Sequence, residues 1–249
     1  MRDETSAGSH FPPAGESDGK SEQVAAMFDA IAPRYDLLNR ILSLGTDGRW
    51  RRRAVRRLGE LGPGRVLDVA TGTGDLAVEA LSAGAREVVG VDIAERMLEV
   101  GRRKIEQLGL SDRITLQYGD ALRLPFDDDV FDAALVAFGV RNFEHLERGL
   151  SEIRRVLRPS GVLVVLEFSR PKRFPVRQLY AVYSRTVLPL VGRLLSGDSG
   201  AYRYLPASIS VFPDGDEFLE AMRRSGYEDV RDERLTFGVA SIYTGRAKG

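Results

Sequence analysis

The 249-residue chain contains no cysteine, two histidines and one tryptophan, and its charges cancel, 36 Lys plus Arg against 36 Asp plus Glu. Without cysteine there is no disulfide and no thiolate metal site, and the cytoplasm is the expected compartment. His10 and His145 stand in no motif that suggests a metal or a catalytic triad; both read as surface residues, and no metal is expected. A zero charge balance gives no general attraction for nucleic acid, so none is expected as a partner. Long apolar runs are also missing. The best stretch, LYAVYSRTVLPLVGRLLSG (179–197), is broken by Arg185, Pro189 and Arg193, so the reading is a soluble protein with no membrane span.

What is present has an order. Residues 1–20 are rich in Gly, Pro, Ser and charge and read as a disordered tail, not a signal peptide. From Ser21 apolar residues recur at helical spacing, with Pro33 and Gly45 dividing short helices, and a basic helix follows around 49–57. From Arg65 β-branched runs (65–70, 87–92, 113–118, 130–137, 161–168) alternate with helices at 75–83, 94–108 and 144–157. Such alternation requires a parallel sheet covered on both faces. After Pro171 it lapses for about forty residues, then returns as a helix and two closely spaced strands near 228–236 and 239–247, a hairpin for one sheet edge. The expected organisation is one domain, 21–249, with a helical cover at 21–62 and an insertion at 171–212, both placed over the carboxyl ends of the strands where open α/β sheets bind ligands.

VLDVATGTGDLA (66–77) reads as strand, glycine turn and helix start. Gly72 and Gly74 allow close backbone approach, and Asp92, twenty residues after Gly72, ends the second strand where it can accept both hydroxyls of a ribose. The glycines alone leave NAD and S-adenosylmethionine both open. Asp68, inside the first strand, would repel a pyrophosphate and attract the amino group of a methionine moiety. Asp120, ending the third strand, can accept from an adenine amino group.

DVATGTG from Asp68, Asp92, Gly119-Asp120-Ala121 and LRPSGVLVVLEFSRP resemble class I S-adenosylmethionine methyltransferases. More narrowly, MFDAIAPRYDLLNRILSLG, FGVRNF, LEFSRP and YRYLPASISVFPD resemble the family that methylates a quinone ring carbon in menaquinone and ubiquinone biosynthesis. The resemblance runs from residue 22 to the C-terminus. It implies a Rossmann-like α/β fold, a mostly parallel seven-stranded sheet with an antiparallel C-terminal hairpin, helices on both faces and an N-terminal helical cover. It also implies S-adenosylmethionine as donor, a prenylated demethyl-quinol as acceptor, and conversion of demethylmenaquinol to menaquinol or of the equivalent ubiquinol precursor. Carried onto matching positions, the donor's ligands would be Thr73, Asp92, Asp120 and Ala121; Asp68, Gly72, Gly74 and Ile93 complete the expected set, and at Ala137, where many relatives carry Ser, any contact must come from the backbone or be absent.

In ALVAFGVRNF (134–143) an apolar strand exits into Arg141 and Asn142. Carbon attack on a sulfonium methyl is easier from phenolate than from phenol, whose pKa is roughly 10 as in Tyr. Arg141 would supply fixed positive charge to that oxygen, with Asn142 and Tyr35 as further donors. Other readings stand beside these: Arg141 pairing with Glu144 or Glu167, Asn142 capping the next helix, and Tyr35 as packing. Glu167 and Ser169 are assigned only the wall of the crevice. The six arginines of RWRRRAVRR (Arg49–Arg57) read either as a solvated, ion-paired face or, with Trp50, as a contact with an anionic membrane surface. Apolar residues in 174–195 read first as completing the core and building a lid or the face of a homodimer, and second as a shelter for the first isoprene units of a prenyl tail.

Overall fold

In the computed structural model, residues 19–59, 64–183, 186 and 200–249 are described; most of the expected tail and part of 171–212 lie outside them. The five β-branched runs fold as β1 (Arg65–Val69), β2 (Glu87–Asp92), β3 (Ile114–Tyr118), β4 (Phe131–Ala137) and β5 (Leu157–Phe168), and the closing pair as β6 (Tyr227–Leu235) and β7 (Ala240–Ala247). They form one sheet in the order β3-β2-β1-β4-β5-β7-β6. β1 to β5 pair in parallel, whereas β7 runs antiparallel to both β5 and β6.

Successive residues of a strand point to opposite faces, and here both faces are apolar. Leu67, Val89, Ala134 and Leu163 pack toward Leu150 and Ile153 of α6 (Leu146–Val156) and Phe218 and Met222 of α9 (Asp216–Arg224). Their neighbours Val66, Val88, Leu135 and Val164 pack on the other face. There they meet α3 (Thr46–Gly59), α4 (Asp75–Ser82) and α5 (Glu95–Gln107), through Leu58, Ala80 and Leu98. The N-terminal cover consists of α1 (Lys20–Ile31), a 3-10 turn over Ala32–Arg34, and α2 (Tyr35–Leu42), with Gly45 at φ 70° in the turn before α3. Pro33 and Gly45 divide the helices as their chemistry requires. Between β5 and α9 lie α7 (Val176–Val182) and α8 (Gly200–Val211).

Three expectations need correction. Lys20, assigned to the tail, begins α1 and is buried, its Nζ donating to the backbone carbonyls of Arg141 (3.2 Å) and Phe143 (3.1 Å). β5 starts at Leu157, four residues early, because Leu157 pairs with Phe131 before the register shifts at a bulge. Trp50 is no membrane-facing residue. It is 7 % exposed, donates from Nε1 to Thr236 Oγ1 at 2.8 Å and packs edge-on to Phe168. The arginines around it are largely paired, Arg51 with Asp47 and Asp75, Arg52 with Glu79, and Arg53 and Arg57 with Glu233. No helix among the described residues is long and apolar enough to cross a membrane.

Candidate active site

Each parallel strand releases the chain at the same edge of the sheet, and the loops that follow β1, β2, β3 and β4 border an open cavity of about 660 Å³, its solvent-filled mouth included. It is lined by Ala70 and Gly72, by Asp92 and Ile93, by Asp120 and Ala121, and by Ala137 and Asn142, with Phe28 and Tyr35 closing it from the cover. At Gly72 (φ +57°) a Cβ would lie 3.2 Å from Met97 Cε, so a side chain there is both strained and crowded. Asp92 accepts from the backbone N–H of Gly72 (2.8 Å) and Ala94 (2.9 Å), which fixes its carboxylate at the cavity wall. Burial nevertheless raises its pKa to about 6, against the pull of those N–H groups. Asp120 accepts from Leu122 N at 2.9 Å and stays on the wall.

Asp68, Thr73 and Gly74 are placed differently. Asp68 is the penultimate residue of β1, beneath the glycine turn and 1 % exposed; Thr71 Oγ1 donates to its Oδ2 at 2.6 Å, and its Oδ1 is buried without a hydrogen-bond partner among the described residues. Burial pushes its carboxyl up to about 7. The Thr73 hydroxyl donates to Asp36 Oδ1 at 2.6 Å and accepts from Lys104 Nζ at 3.1 Å. Neither it nor Gly74, which forms the N-cap of α4 at φ 80°, lines the cavity.

A second, open cavity of about 1590 Å³, its solvent-filled mouth included, adjoins the first and shares Phe28, Tyr35 and Phe138 with it. Its walls are apolar and aromatic, built by Met27, Leu38, Trp50, Phe168, Leu179 and Ile209. Arg141 stands in this wall. Its Nη1 donates to Glu167 Oε1 at 3.0 Å and to the Phe138 carbonyl, its Nε donates to Ser208 Oγ at 3.3 Å, and none of the described residues accepts from Nη2. The turn that delivers Arg141 is tightly specified. Phe138 is held at φ 57°, and a Cβ on Gly139 would lie 2.5 Å from Ala70 Cβ.

The open readings now divide. Glu167, not Glu144, is the partner of Arg141; Glu144 instead accepts from the backbone N–H groups of Gly19 and Ser21 at the start of α1. Asn142 does not cap α6, whose N-cap is His145; its Oδ1 accepts from Tyr204 OH at 3.0 Å. Tyr35 packs edge-on to Phe28, and its hydroxyl pKa is raised by burial. Sequence reasoning missed Tyr180 and Tyr204 as individual residues. Both line the apolar cavity, and burial lifts each to about 12, so each is a neutral donor at ordinary pH. The segment YRYLPASISVFPD carried the only signal for Tyr204.

A seven-stranded sheet of this order, with its last pair antiparallel and a ligand cavity at the strand ends, defines a Rossmann-like methyltransferase fold. Solved structures agree on the fold. An S-adenosylmethionine-dependent methyltransferase from Thermotoga maritima matches at TM-score 0.60 and 20 % identity over 90 % of this chain and 99 % of that one. The [4+2]-cyclase SpnF matches at TM-score 0.64 and 21 % identity, covering 97 % and 99 %. Residues 16–247 match the ubiE/COQ5 methyltransferase family, and the chain belongs to that family. The demethylmenaquinone methyltransferase of Thermus thermophilus is 54 % identical over 88 % of this chain and 99 % of its own length. That of Bacteroides fragilis is 49 % identical over 92 % and 94 %. A relative from Geobacter sp. bears the name ubiquinone/menaquinone biosynthesis C-methyltransferase. This protein is a methyltransferase.

Proposed function

We propose that the protein transfers the methyl group of S-adenosylmethionine to a ring carbon of prenylated demethylmenaquinol, and that the equivalent benzoquinol precursor is its second acceptor. The observation that carries this reading is the junction of the two cavities. A polar-rimmed pocket lined by Asp92 and Asp120 opens beside a largely apolar one whose wall carries two guanidinium groups, Arg141 held by Glu167 and Arg51 paired with Asp47 and Asp75, and the names of the close relatives point to the same pair of substrates.

The residues of the first cavity fit the donor. Asp92 would accept from ribose hydroxyls and Asp120 from the adenine amino group, while Asp68, buried beneath the turn and not part of the cavity lining, would act on the donor's amino group from below through its unpartnered Oδ1. Ala121, Ile93 and Ala137 would contribute apolar wall or backbone. When bound, the donor supplies an electrophilic methyl, taken by the ring carbon as the sulfur–methyl bond breaks.

In the second cavity Arg141 would face the phenolic oxygen ortho to the reacting carbon. A unit charge roughly 4 Å from a phenolate is worth about 4 kcal/mol at an effective dielectric of roughly 20, or about three pKa units. Glu167, 3.0 Å from the guanidinium, offsets part of this, so the remaining stabilisation has to come from directed hydrogen bonds. Nη2 is free of the described residues for that role, and Asn142 and Tyr35 stand at the junction. A guanidinium does not deprotonate in proteins, so Arg141 is no base; a water accepts the proton that leaves the ring or its hydroxyl. The apolar walls keep bulk water from the sulfonium and hold carbon and methyl in line.

The test is transfer of labelled methyl to demethylmenaquinone analogues and to a demethylated benzoquinone, each offered oxidised and reduced. Transfer to the reduced rings alone is expected. No transfer to any ring while S-adenosylhomocysteine still binds would overturn the acceptor assignment.

A further inference from the structure

Around the mouth of the apolar cavity lie large side chains that the interior does not use. On α2, Leu37 is 57 % and Ile41 39 % exposed, and Leu44 just beyond is 84 % exposed. Leu37 and Ile41, four residues apart, lie on one side of the helix, and Leu44 follows in the turn at φ 52°. On α7, Leu179 is 66 % and Val182 61 % exposed, with Phe174 before them at 81 %. Leu44 and Leu179 also line the cavity, so the two apolar stripes converge on one opening. Phe237, 81 % exposed, stands beside Thr236, which lines the same cavity. Scattered apolar residues need no explanation, but a contiguous patch rimmed by polar groups marks an interaction surface.

The charge around this patch has one sign. Segments 32–46 and 171–183 carry Arg34, Arg40, Lys172, Arg173 and Arg177, all exposed, against a single acid, Asp36, which Lys104 neutralises at 2.6 Å. A second copy of the chain seated here about a two-fold axis would set these cations against themselves. An anionic lipid surface complements them, and apolar side chains ringed by Lys and Arg are what such an interface accepts.

We propose that the rim formed by α2, Leu44 and the Phe174–Val182 segment docks on an anionic bilayer, so that a prenylated acceptor passes from lipid into the cavity without crossing water. The inference rests on the reading of the acceptor as prenylated. It replaces the basic helix α3 as the membrane-facing element, since α3 buries Trp50 and pairs most of its arginines within the protein.

The full chain should sediment with vesicles containing phosphatidylglycerol, weakly with phosphatidylcholine alone, and less at high salt. A triple variant, Leu37→Glu, Phe174→Glu and Val182→Glu, changes exposed residues outside the cavity wall. It should bind anionic vesicles about tenfold more weakly and methylate vesicle-borne prenylated acceptor correspondingly slowly. Its turnover of a tail-less reduced acceptor in solution should stay unchanged. Arg49→Glu on α3 should bind vesicles like the parent. Equal vesicle binding by the parent and triple variant, or loss only in Arg49→Glu, would overturn the proposal. So would a parent dimer that the triple variant splits into monomers. If no quinol ring is methylated yet vesicle binding follows the rim, the acceptor reading fails and the docking surface stands.

Discussion

The guanidinium of Arg141 lies 3.0 Å from the carboxylate of Glu167, and the two side chains are 6 % and 0 % exposed. Glu167 also accepts from the backbone N–H groups of Arg141 and Phe168, and burial raises its pKa in spite of the guanidinium. The pair therefore fixes the direction of Arg141 at the cost of part of its charge. Glu167 is a positioning residue with an electrostatic penalty attached.

Arg141→Ala should lower kcat by about 100- to 1000-fold, the usual cost of losing an oxyanion donor, while affinity for S-adenosylhomocysteine stays within twofold. Arg141→Lys should recover little, because one ammonium cannot hold Phe138, Glu167 and Ser208 and also reach the acceptor. Full turnover by the Ala variant would remove Arg141 from the mechanism.

Glu167→Gln keeps one acceptor, the amide oxygen, for the guanidinium and removes the negative charge. A phenol facing Arg141 would then ionise more readily, so the alkaline-rising limb of the kcat profile should move to lower pH. A merely structural role for Glu167 would lower activity at every pH without moving that limb.

The sheet was legible because its strands are buried on both faces, so Val66–Val69, Val88–Val91 and Leu163–Leu166 write themselves as apolar runs bounded by Gly, Pro and Asp. Asp92 and Asp120 were legible because strand ends in this topology have fixed neighbours. The partners of Arg141 and Asn142 were less so. Glu167 was one of two acids in reach, and the choice came from Glu144 being drawn to the start of α1. Tyr204 stands 62 residues after Asn142, in an insertion with no periodic pattern to place it. Trp50 misled because a tryptophan among arginines looks interfacial in sequence, whereas helix geometry turns it inward together with Arg51 and turns most of the other arginines outward.

Asp92, pushed up to about 6 by burial, should make donor binding pH-dependent. The carboxylate is needed to accept from hydroxyls, so the Kd of S-adenosylhomocysteine should be flat above pH 7 and weaken as pH falls through about 6. Asp92→Ala should cost about 10- to 100-fold at pH 8, the range for a hydrogen-bonded charged group. Calorimetry at pH 5 and pH 8 decides; a flat Kd would detach Asp92 from the donor.

Asp68 gives the opposite dependence in the ligand-free protein. Its folded pKa, about 7, lies above the unfolded value, so its contribution to stability is full at low pH and is lost as pH rises through 7. Asp68→Asn removes the buried charge while leaving an acceptor for Thr71. At pH 8 the variant without ligand should therefore be more stable than the parent by about 4 kcal/mol, a difference that shrinks toward pH 5 and vanishes only below about pH 4, where the unfolded carboxyl is also protonated. The same variant should bind donor more weakly, because the orphaned Oδ1 no longer offers charge to an amino group. Urea melts at the two pH values separate stability from binding, and a destabilised Asn variant at pH 8 would contradict the argument.

Lys104 joins the cover to the glycine turn. Its Nζ contacts Asp36 Oδ2 on α2 and Asp75 Oδ1 on α4, both at 2.6 Å, and donates to Thr73 Oγ1 at 3.1 Å. Asp29 on α1 adds a second tie by accepting from Arg96 N in the first turn of α5 at 2.9 Å. These ties hold Phe28 and Tyr35 over the donor cavity, so removing the first should loosen donor capture before it affects chemistry. Lys104→Met leaves Asp36 and Asp75 close together with only Arg51 nearby, and the donor KM should rise about fivefold to twentyfold, on the order of 1–2 kcal/mol. The cost in stability should be only about 1 kcal/mol, since Asp36 and Asp75 are 38 % and 36 % exposed and solvent screens the pair. Asp36→Asn should do less, because the amide oxygen can still accept from one of the two donors, Thr73 or Lys104, and Lys104 keeps Asp75. If either variant lowered kcat steeply at unchanged donor KM, the cluster would be acting on the reacting groups and not on closure.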